Sequence, residues 1–456
     1  MRDFFFVGFL GALLALGLKR PFLFVLAYAY VDIVAPQRLS YWLLSGGNIV
    51  LYTAVAAMGS WLLLDDKKGL RVSGRQWLMA ILIAYAGYTT LHADLPVEAA
   101  EKWDWAWKAL LFAIFLPFTL RTKLRIESYL LFMVLAASAI VMVGGIKTML
   151  SGGGYGALNL MVDNNSGLYE GSTISAIAVA MIPLILWLVR FGTVFPSDWR
   201  AKLFAAGLIF ACLLIPVGTE ARTGLVCIAV LAILMLRDLK RRMLYVSLIA
   251  LVGAAALPML PDSFTSRMGT ISGYEADSSA TTRLAVWGWT WDYVQKKPMG
   301  GGFEAFRLNR IEVSTVTRAG TGPVRTIDSR VHSDEGRAWH SAYFEMLGEQ
   351  GFPGLFLFLA IHIGGLVRME VLRRRYRKAE GDKAWIAPLA TALQHFQIVY
   401  LVGAAFVAIA FQPFPLMILG VQIGFDQVVA RRERAERGAA ASAAGQKLRP
   451  LAVTGT

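Results

Sequence analysis

The sequence predicts an all-α polytopic membrane protein with about twelve transmembrane helices and one long extramembrane loop that contains short helices. Two observations support this fold class. Of the 456 residues, 56% are hydrophobic and 17% are charged, whereas about a quarter of the residues in a soluble domain are charged. Apolar runs of about 15–20 residues, each long enough or nearly so to cross about 30 Å of hydrocarbon, recur along the chain.

The candidate transmembrane helices lie near residues 4–18, 21–35, 46–64, 76–91, 106–120, 128–147, 172–190, 203–217, 223–236, 243–260, 353–367, 388–411 and 413–429. Because the first two are short and only residues 412–415 separate the last two, we predict about twelve spans. The first run ends at Lys19-Arg20 and a second run follows without a small-residue cleavage site. This pattern favours a membrane hairpin over a cleaved signal peptide.

The net charge of +14 is distributed unevenly among the connections. Lys and Arg cluster near residues 67–75, 121–125, 237–242, 368–378 and 431–432, whereas the connections 92–105 and 147–171 contain few of them. This is the positive-inside pattern, so the basic connections are predicted to be cytoplasmic. The charge is therefore a topology signal, and no nucleic-acid partner is expected.

These observations predict one membrane domain in four parts. Residues 1–260 form about ten transmembrane helices with short loops, and 261–340 form the long outer loop with amphipathic helices. Residues 341–430 return to the membrane, and the Ala-, Gly- and Arg-rich segment 431–456 is predicted to be a disordered cytoplasmic tail. Cys212 and Cys227 both lie in apolar runs, which excludes a disulfide framework and a cysteine metal site.

Within the long loop, helical spacing predicts an amphipathic helix over 282–297, seated at the membrane interface or on top of the bundle. Its predicted apolar face consists of Leu284, Trp287, Trp291 and Val294. A second short helix is predicted over 303–313, and the polar segment 314–339 is expected to be turn-rich and without regular structure.

Ser341 is the predicted N-cap of a helix that runs to Gln350 and breaks at 351–354, so His340 should stand at a helix N-terminus. The helix dipole there disfavours the imidazolium and keeps the ring neutral, as a general base requires. Because His340 is one of five histidines, a role at the membrane interface without catalysis is the simpler alternative for it. A single base that activates a hydroxyl needs no Ser or Cys partner.

Three arginines are candidates for binding phosphate groups. Arg222 lies in a tight turn between two apolar runs. If its guanidinium is buried, it would bind a diphosphate bidentately. If it lies at the surface, the side chain would extend along the helix end to place its charge in water. Arg283 begins the Trp-rich helix and could face the same pocket, whereas Arg267 has only its proximity in the loop in its favour.

No metal or cofactor is predicted. The pair Asp65-Asp66 lies among lysines in a cytoplasmic turn, and the predicted outer face has no Asp-x-Asp pair. Residues 300–302 are all Gly, but no Gly-Lys-Ser/Thr follows them, so a hinge is more probable than a P-loop. Only His362 and His395 place ionisable groups well inside spans, which argues against ion-coupled transport.

Three motifs in this order resemble the O-antigen ligase and O-antigen polymerase superfamily of bacterial inner-membrane glycosyltransferases. They are Glu220-Ala221-Arg222-Thr223-Gly224, then Arg283 with a Trp-containing helix and Pro298-Met299-Gly300-Gly301-Gly302, then His340-Ser341 with Glu349-Gln350-Gly351-Phe352-Pro353-Gly354. The N-terminal part, which opens Met1-Arg2-Asp3-Phe4-Phe5-Phe6, is similar to putative O-glycosylation ligases associated with exosortase systems.

The resemblance implies a periplasmic active site in a multi-pass protein of the bacterial inner membrane. The donor would be a finished glycan on undecaprenyl diphosphate, and the acceptor a hydroxyl of lipid A-core. By position, Arg222 and Arg283, and more weakly Arg267, would bind the diphosphate, and His340 would deprotonate the acceptor. The implied reaction inverts the anomeric centre without a metal. Besides these substrates, the expected partners are membrane lipids.

Three alternatives remain open at this point. An O-antigen polymerase or a protein O-oligosaccharyltransferase of the same superfamily would use the same motifs with another acceptor. A transporter of lipid-linked glycans would move substrate across the membrane without forming a glycosidic bond, and it would need more charged groups in mid-membrane. A membrane scaffold would need none of the three site residues.

Overall fold

A computed structural model describes residues 1–154, 158, 167–237, 247, 278–319 and 326–447, with the side chains of 278–279, 313–332 and 443–447 left out. These residues confirm the predicted fold class, an all-α polytopic membrane protein. The helices are α1 Arg2–Gly17, α2 Phe22–Val34, α3 Pro36–Leu39, α4 Ile49–Leu64, α5 Gly74–Leu91, α6 Pro96–Thr119, α7 Lys123–Ser151, α8 Gly171–Phe191, α9 Trp199–Gly218, α10 Arg222–Leu236, α11 Ser278–Lys296, α12 Ala342–Arg375, α13 Ile386–Ala404 and α14 Pro413–Lys447.

Every candidate transmembrane segment overlaps a helix except 243–260, which lies outside the described residues apart from Ser247. Within the described ranges, six helical segments are long and apolar enough to cross a membrane, and α2, α4 and α10 are shorter apolar helices. The six are Lys123–Ser151, Gly171–Phe191, Trp199–Gly218, Ala342–Arg375, Gly381–Ala404 and Pro413–Ser442. The total of about twelve spans remains a prediction.

The helices pack so that the two ends of the bundle differ in charge. At one end, which we call the basic end, the Lys- and Arg-rich connections meet. Arg125 pairs with Asp65 at 2.6 Å, Arg368 pairs with Asp426 at 2.7 Å, and Arg431 donates to the carbonyl oxygen of Leu120 at 3.3 Å. The opposite end, which holds 92–96, 298–307 and 338–345, we call the outer end, following the predicted topology.

Helix α11 forms as predicted, but the predicted apolar face is wrong for two of its members. Leu284 and Trp291 are 56% and 50% exposed. The buried face instead carries Val286, Thr290 and Val294 at a spacing of four residues. Thr290 is polar, yet its hydroxyl donates to the Val286 carbonyl at 2.7 Å and accepts from the Trp339 indole at 2.7 Å. Hydrophobicity alone could not predict this buried face, because its central residue is a threonine whose hydroxyl has hydrogen-bond partners inside the protein.

The segment after α11 also departs from the prediction. A 3₁₀ turn at Ala305–Leu308 replaces the helix predicted over 303–313, and an antiparallel hairpin follows, with β1 Arg310–Ala319 and β2 Thr326–Glu335. Its register pairs Arg310 with Glu335 and Ala319 with Thr326. Strand β1 is rich in Ile, Val and Thr, which favours a strand over the expected irregular chain, whereas β2 is mostly polar and pairs with it.

The predicted disordered tail is wrong for residues 431–447, because α14 continues to Lys447. Ala-rich sequence favours a helix, and ion pairs fix its exposed part to the neighbouring connection. Glu433 lies 3.1 Å from Arg375, and Glu436 lies 2.7 Å from Lys383. Residues 448–456 lie outside the described part of the chain.

Helix α12 begins at Ala342 with Ser341 as its N-cap, as predicted, and continues to Arg375 through a kink at Gly351. At the kink, the Phe352 N–H does not make the usual helical hydrogen bond to the Gly348 carbonyl. It donates instead to the Pro298 carbonyl at 3.0 Å. Pro353 has no N–H to offer the Glu349 carbonyl. The loop 298–302 supplies both missing donors, since Gly301 N–H reaches Gly348 O at 3.0 Å and Gly302 N–H reaches Glu349 O at 2.9 Å.

This contact explains the glycines and corrects the predicted hinge. A Cβ atom on Gly300 would stand 2.4 Å from the Glu349 carbonyl oxygen, and one on Gly351 would stand 2.1 Å from the Pro298 carbonyl oxygen. Both residues also have positive φ, +84° and +63°. The loop is therefore a close-packed joint between the Trp-rich helix and α12.

We expect Gly351→Ala to destabilise the protein by about 2–6 kcal/mol, the sum of a strained left-handed backbone and an overpacked contact. The measurement is thermal unfolding of the purified protein in detergent. Gly59→Ala is the matched control, because a Cβ on this helical glycine meets nothing within 4 Å. Equal unfolding temperatures for the two variants would contradict the proposed joint.

Candidate active site

The chain leading to His340 is fixed by Trp339, which is 1% exposed. Its indole N–H donates to Thr290, and its carbonyl oxygen accepts from the Trp287 indole at 2.9 Å. Gly348 lies so close to the Trp339 ring that a Cβ would approach it to 2.3 Å. Helix α11 and the first turns of α12 therefore clamp the residue immediately before the candidate base.

His340 itself has φ +48°, a left-handed conformation that is uncommon outside glycine and costs about 1–3 kcal/mol. It is exposed, although its neighbours Trp339 and Ser341 are both buried. A strained, exposed side chain between two anchored residues is typical of a functional position.

The surroundings of His340 favour its neutral form. Although His340 is exposed at the protein surface, neighbouring protein atoms remove part of the water around the ring, and this lowers the pKa of His340 from its ordinary value. The nearby positive charges of Arg283 and Arg337 lower the pKa further, and the Glu170 carboxylate opposes them. The lowered pKa of His340 agrees in direction with the predicted neutral base, but it is caused by loss of water and by the arginines rather than by the helix dipole.

Arg283 thus lies within electrostatic range of His340, and its role in binding a diphosphate remains a prediction. Glu170 is the partner that the sequence analysis missed. It is the N-cap of α8, where its carboxylate accepts from Ser172 N–H at 3.0 Å and Thr173 N–H at 2.6 Å. An acidic residue directly before Gly-Ser-Thr and an apolar run suits a helix N-terminus, where the helix dipole favours negative charge, and this pattern could have placed Glu170 at this end.

Arg222 is the half-buried first residue of α10. The turn before it is tight, because Glu220 has φ +51° and Ala221 N–H donates to the Pro216 carbonyl at 3.1 Å. Gly224 lets α10 approach α9, since a Cβ there would stand 2.5 Å from Pro216. These contacts fix the position of the Arg222 backbone at the start of α10.

Two further contacts bring α10 to the same end as His340. Tyr343, in the first turn of α12, donates to the Leu401 carbonyl on α13 at 2.8 Å. A Cβ on Gly403, near the end of α13, would stand 2.8 Å from Ala176 on α8 and 3.2 Å from Cys227 on α10. The structure therefore gathers α8, α10, α12 and α13 around the outer end. Arg267 lies outside the described residues.

A buried ion cluster lies behind this site. The Lys102 ammonium lies 2.7 Å from Glu345 and 2.6 Å from Glu349, whose side chains are 5% and 0% exposed. The other Glu345 oxygen accepts from Ala410 N–H at 3.0 Å, and Glu349 accepts from Glu304 N–H at 3.0 Å. Lys102 of α6 thus binds two glutamates of α12, and these also accept hydrogen bonds from Glu304 and Ala410. Sequence patterns did not predict this cluster.

A cavity of about 380 Å³ opens beside the cluster. Residues from α6, the 3₁₀ turn, the segment before His340 and the 405–412 connection enclose it. They are Glu98, Glu101, Lys102, Trp105, Glu304, Phe306, Arg307, Ala338, Trp339, Glu345 and Ala408. Among the described residues, no group of three or more His, Cys, Asp or Glu side chains is arranged to hold a metal ion.

Comparison with known proteins finds two matched regions in the chain. Residues 206–359, which carry Arg222, Arg283 and His340, match the family described as O-Antigen ligase. Residues 1–193, which carry Lys102 and Glu170, match a family of unknown function (DUF5935). No curated protein sequence matches this chain. The similarity to exosortase-associated ligases remains a prediction.

We expect Arg283→Gln to raise the pKa of His340 and Glu170→Gln to lower it. The first variant removes a cation that repels the imidazolium, and the second removes a carboxylate that favours it. NMR titration of ¹³C-labelled histidine, with the His340 signal assigned by its loss in His340→Gln, measures both shifts. The signal of His92, another exposed outer-end histidine, serves as the internal control. Shifts of the same sign, or none, would contradict the electrostatic arrangement.

Proposed function

We propose, on the premise that this chain belongs to the O-antigen ligase superfamily, that it moves a preassembled glycan from undecaprenyl diphosphate to a hydroxyl of lipid A-core. The family is one of glycan-transferring ligases and polymerases. The proposed protein is a multi-pass enzyme of the bacterial inner membrane, with its site in the periplasm. Donor, acceptor and location are our proposals, and the match over residues 206–359 supports the class of reaction.

The observation that carries the proposal is His340, a strained histidine whose pKa is lowered by loss of water and by Arg283. A base that is neutral at pH 7 can take the proton of a sugar hydroxyl as the hydroxyl attacks, which contributes about 10²–10⁴-fold to rate. The proton passes to the imidazole nitrogen, and the oxygen forms the new glycosidic bond.

The leaving group needs the opposite charge. As the bond from the anomeric carbon to the diphosphate breaks, negative charge grows on the diphosphate oxygens. Arginine forks suit such oxygens because they donate two parallel hydrogen bonds and stay charged. We assign Arg222 and Arg283 to this role, with Arg267 as a weaker candidate. Attack from the side opposite the diphosphate inverts the anomeric centre, and the proposed steps use no metal.

An O-antigen polymerase is the second candidate, because the matched family fits both activities. It would transfer the growing glycan to a repeat unit on the lipid carrier. Analysis of the product separates the two readings, since a ligase leaves glycan on lipid A-core and a polymerase lengthens the carrier-linked chain.

The test is transfer by the purified protein in liposomes that contain the lipid-linked glycan and lipid A-core. We expect His340→Ala to reduce the rate by about 10²–10⁴-fold, and Arg222→Ala by about 10²–10³-fold. The matched controls are His92→Ala, an exposed histidine at the same end, and Arg310→Ala, whose side chain is 79% exposed. Transfer at the unaltered rate by His340→Ala and Arg222→Ala would refute the assignment.

A further inference from the structure

The cavity beside Lys102 has a charge imbalance at its surface. Glu98 and Glu101 line it, and neither has an ion-pair partner in the described part of the chain. Each of the two cations of its lining is paired with carboxylates: Lys102 with Glu345 and Glu349, and Arg307 through its Nε with Glu304 at 3.0 Å. The two α6 carboxylates therefore leave the space with a net negative charge.

The same cavity has an aromatic surface. Trp105 is 43% exposed there, and the half-buried Phe306 packs edge-to-face on the fixed ring of Trp339, at 5.4 Å between ring centroids. Exposed aromatic faces bind the apolar faces of flat ligands and attract ammonium groups. A volume of about 380 Å³ falls within the range of small-ligand pockets.

Hydrogen-bonding chemistry narrows the class of ligand. Ionised carboxylates only accept hydrogen bonds, whereas sugar hydroxyls and ammonium groups donate them. A phosphate or carboxylate on a sugar would place acceptor against acceptor and like charge against like charge. An ammonium group would instead meet Glu98 and Glu101 with opposite charge.

From these features we infer that the cavity is a saccharide-binding subsite that prefers sugars with a free amino group, accepts uncharged sugars and rejects phosphorylated or carboxylated ones. Ala338 and Trp339, which line the cavity, directly precede His340 in the chain. If the proposed transfer is accepted, the bound sugar belongs to the acceptor glycan, because the acceptor hydroxyl must reach that base. Any phosphate of a lipid A-core would then have to stay outside the cavity.

The test measures binding alone, without donor. Three trisaccharide probes, of glucosamine, N-acetylglucosamine and galacturonic acid, are titrated into the detergent-solubilised full-length protein by calorimetry. At about pH 6 carboxylates are ionised and the amines are largely charged. We expect the glucosamine probe to bind most tightly and the galacturonic acid probe not to bind.

Variants separate the charge from the aromatic surface. Glu98→Gln with Glu101→Gln should weaken the glucosamine probe by about tenfold and leave the N-acetylglucosamine probe unchanged. Trp105→Ala should weaken both probes. The matched control, Glu312→Gln, changes an exposed glutamate on β1 and should change neither.

Galacturonic acid binding as tight as glucosamine binding, an unchanged preference in the double variant, or no binding by any probe would overturn the inference. Failure of glycan transfer in liposomes with the binding preference intact would refute the proposed function and leave this subsite standing.

Discussion

The contact between the Pro298–Gly302 loop and the Gly351 kink is the constraint on which the outer end depends. A proline at position 353 frees the Glu349 carbonyl, and the kink frees the Gly348 carbonyl. Inside an apolar bundle, such groups must find donors within the protein. The glycine-rich loop supplies those donors, which locks α11 onto α12 and fixes Trp339. His340, with its left-handed backbone, lies between two buried neighbours, Trp339 and Ser341.

The Lys102 cluster extends this constraint across the boundary between the two matched regions. Lys102 belongs to residues 1–193, whereas Glu345 and Glu349 belong to 206–359. Removing Lys102 would leave two buried carboxylates without their cation, at a cost of about 3–5 kcal/mol. Glu170, from the same N-terminal region, acts on the pKa of His340. We infer that the region of unknown function forms part of the site and does more than anchor the chain.

Sequence patterns predicted the structure correctly where the pattern lies within a single segment of the chain. The apolar runs other than 243–260, the N-cap position of Ser341 and the span 223–236 directly after Arg222 are local features, and the described structure has helices at these positions. Glu345 is 243 residues from Lys102 along the chain, and no periodicity relates them. The apolar face of α11 and the hinge at 300–302 were predicted wrongly for the same reason, since the roles of these residues depend on contacts with distant residues. The chemical roles of Arg222, Arg283 and His340 remain predictions.

Chemical rescue of His340→Ala by imidazole tests the central claim most directly. The liposome transfer assay is repeated with increasing imidazole, and Arg283→Ala serves as the comparison because a free base cannot replace a diphosphate-binding cation. The account predicts that imidazole restores transfer in His340→Ala in a concentration-dependent way and restores none in Arg283→Ala. Full transfer by His340→Ala without imidazole, or equal rescue of both variants, would contradict the assignment of His340 as the base.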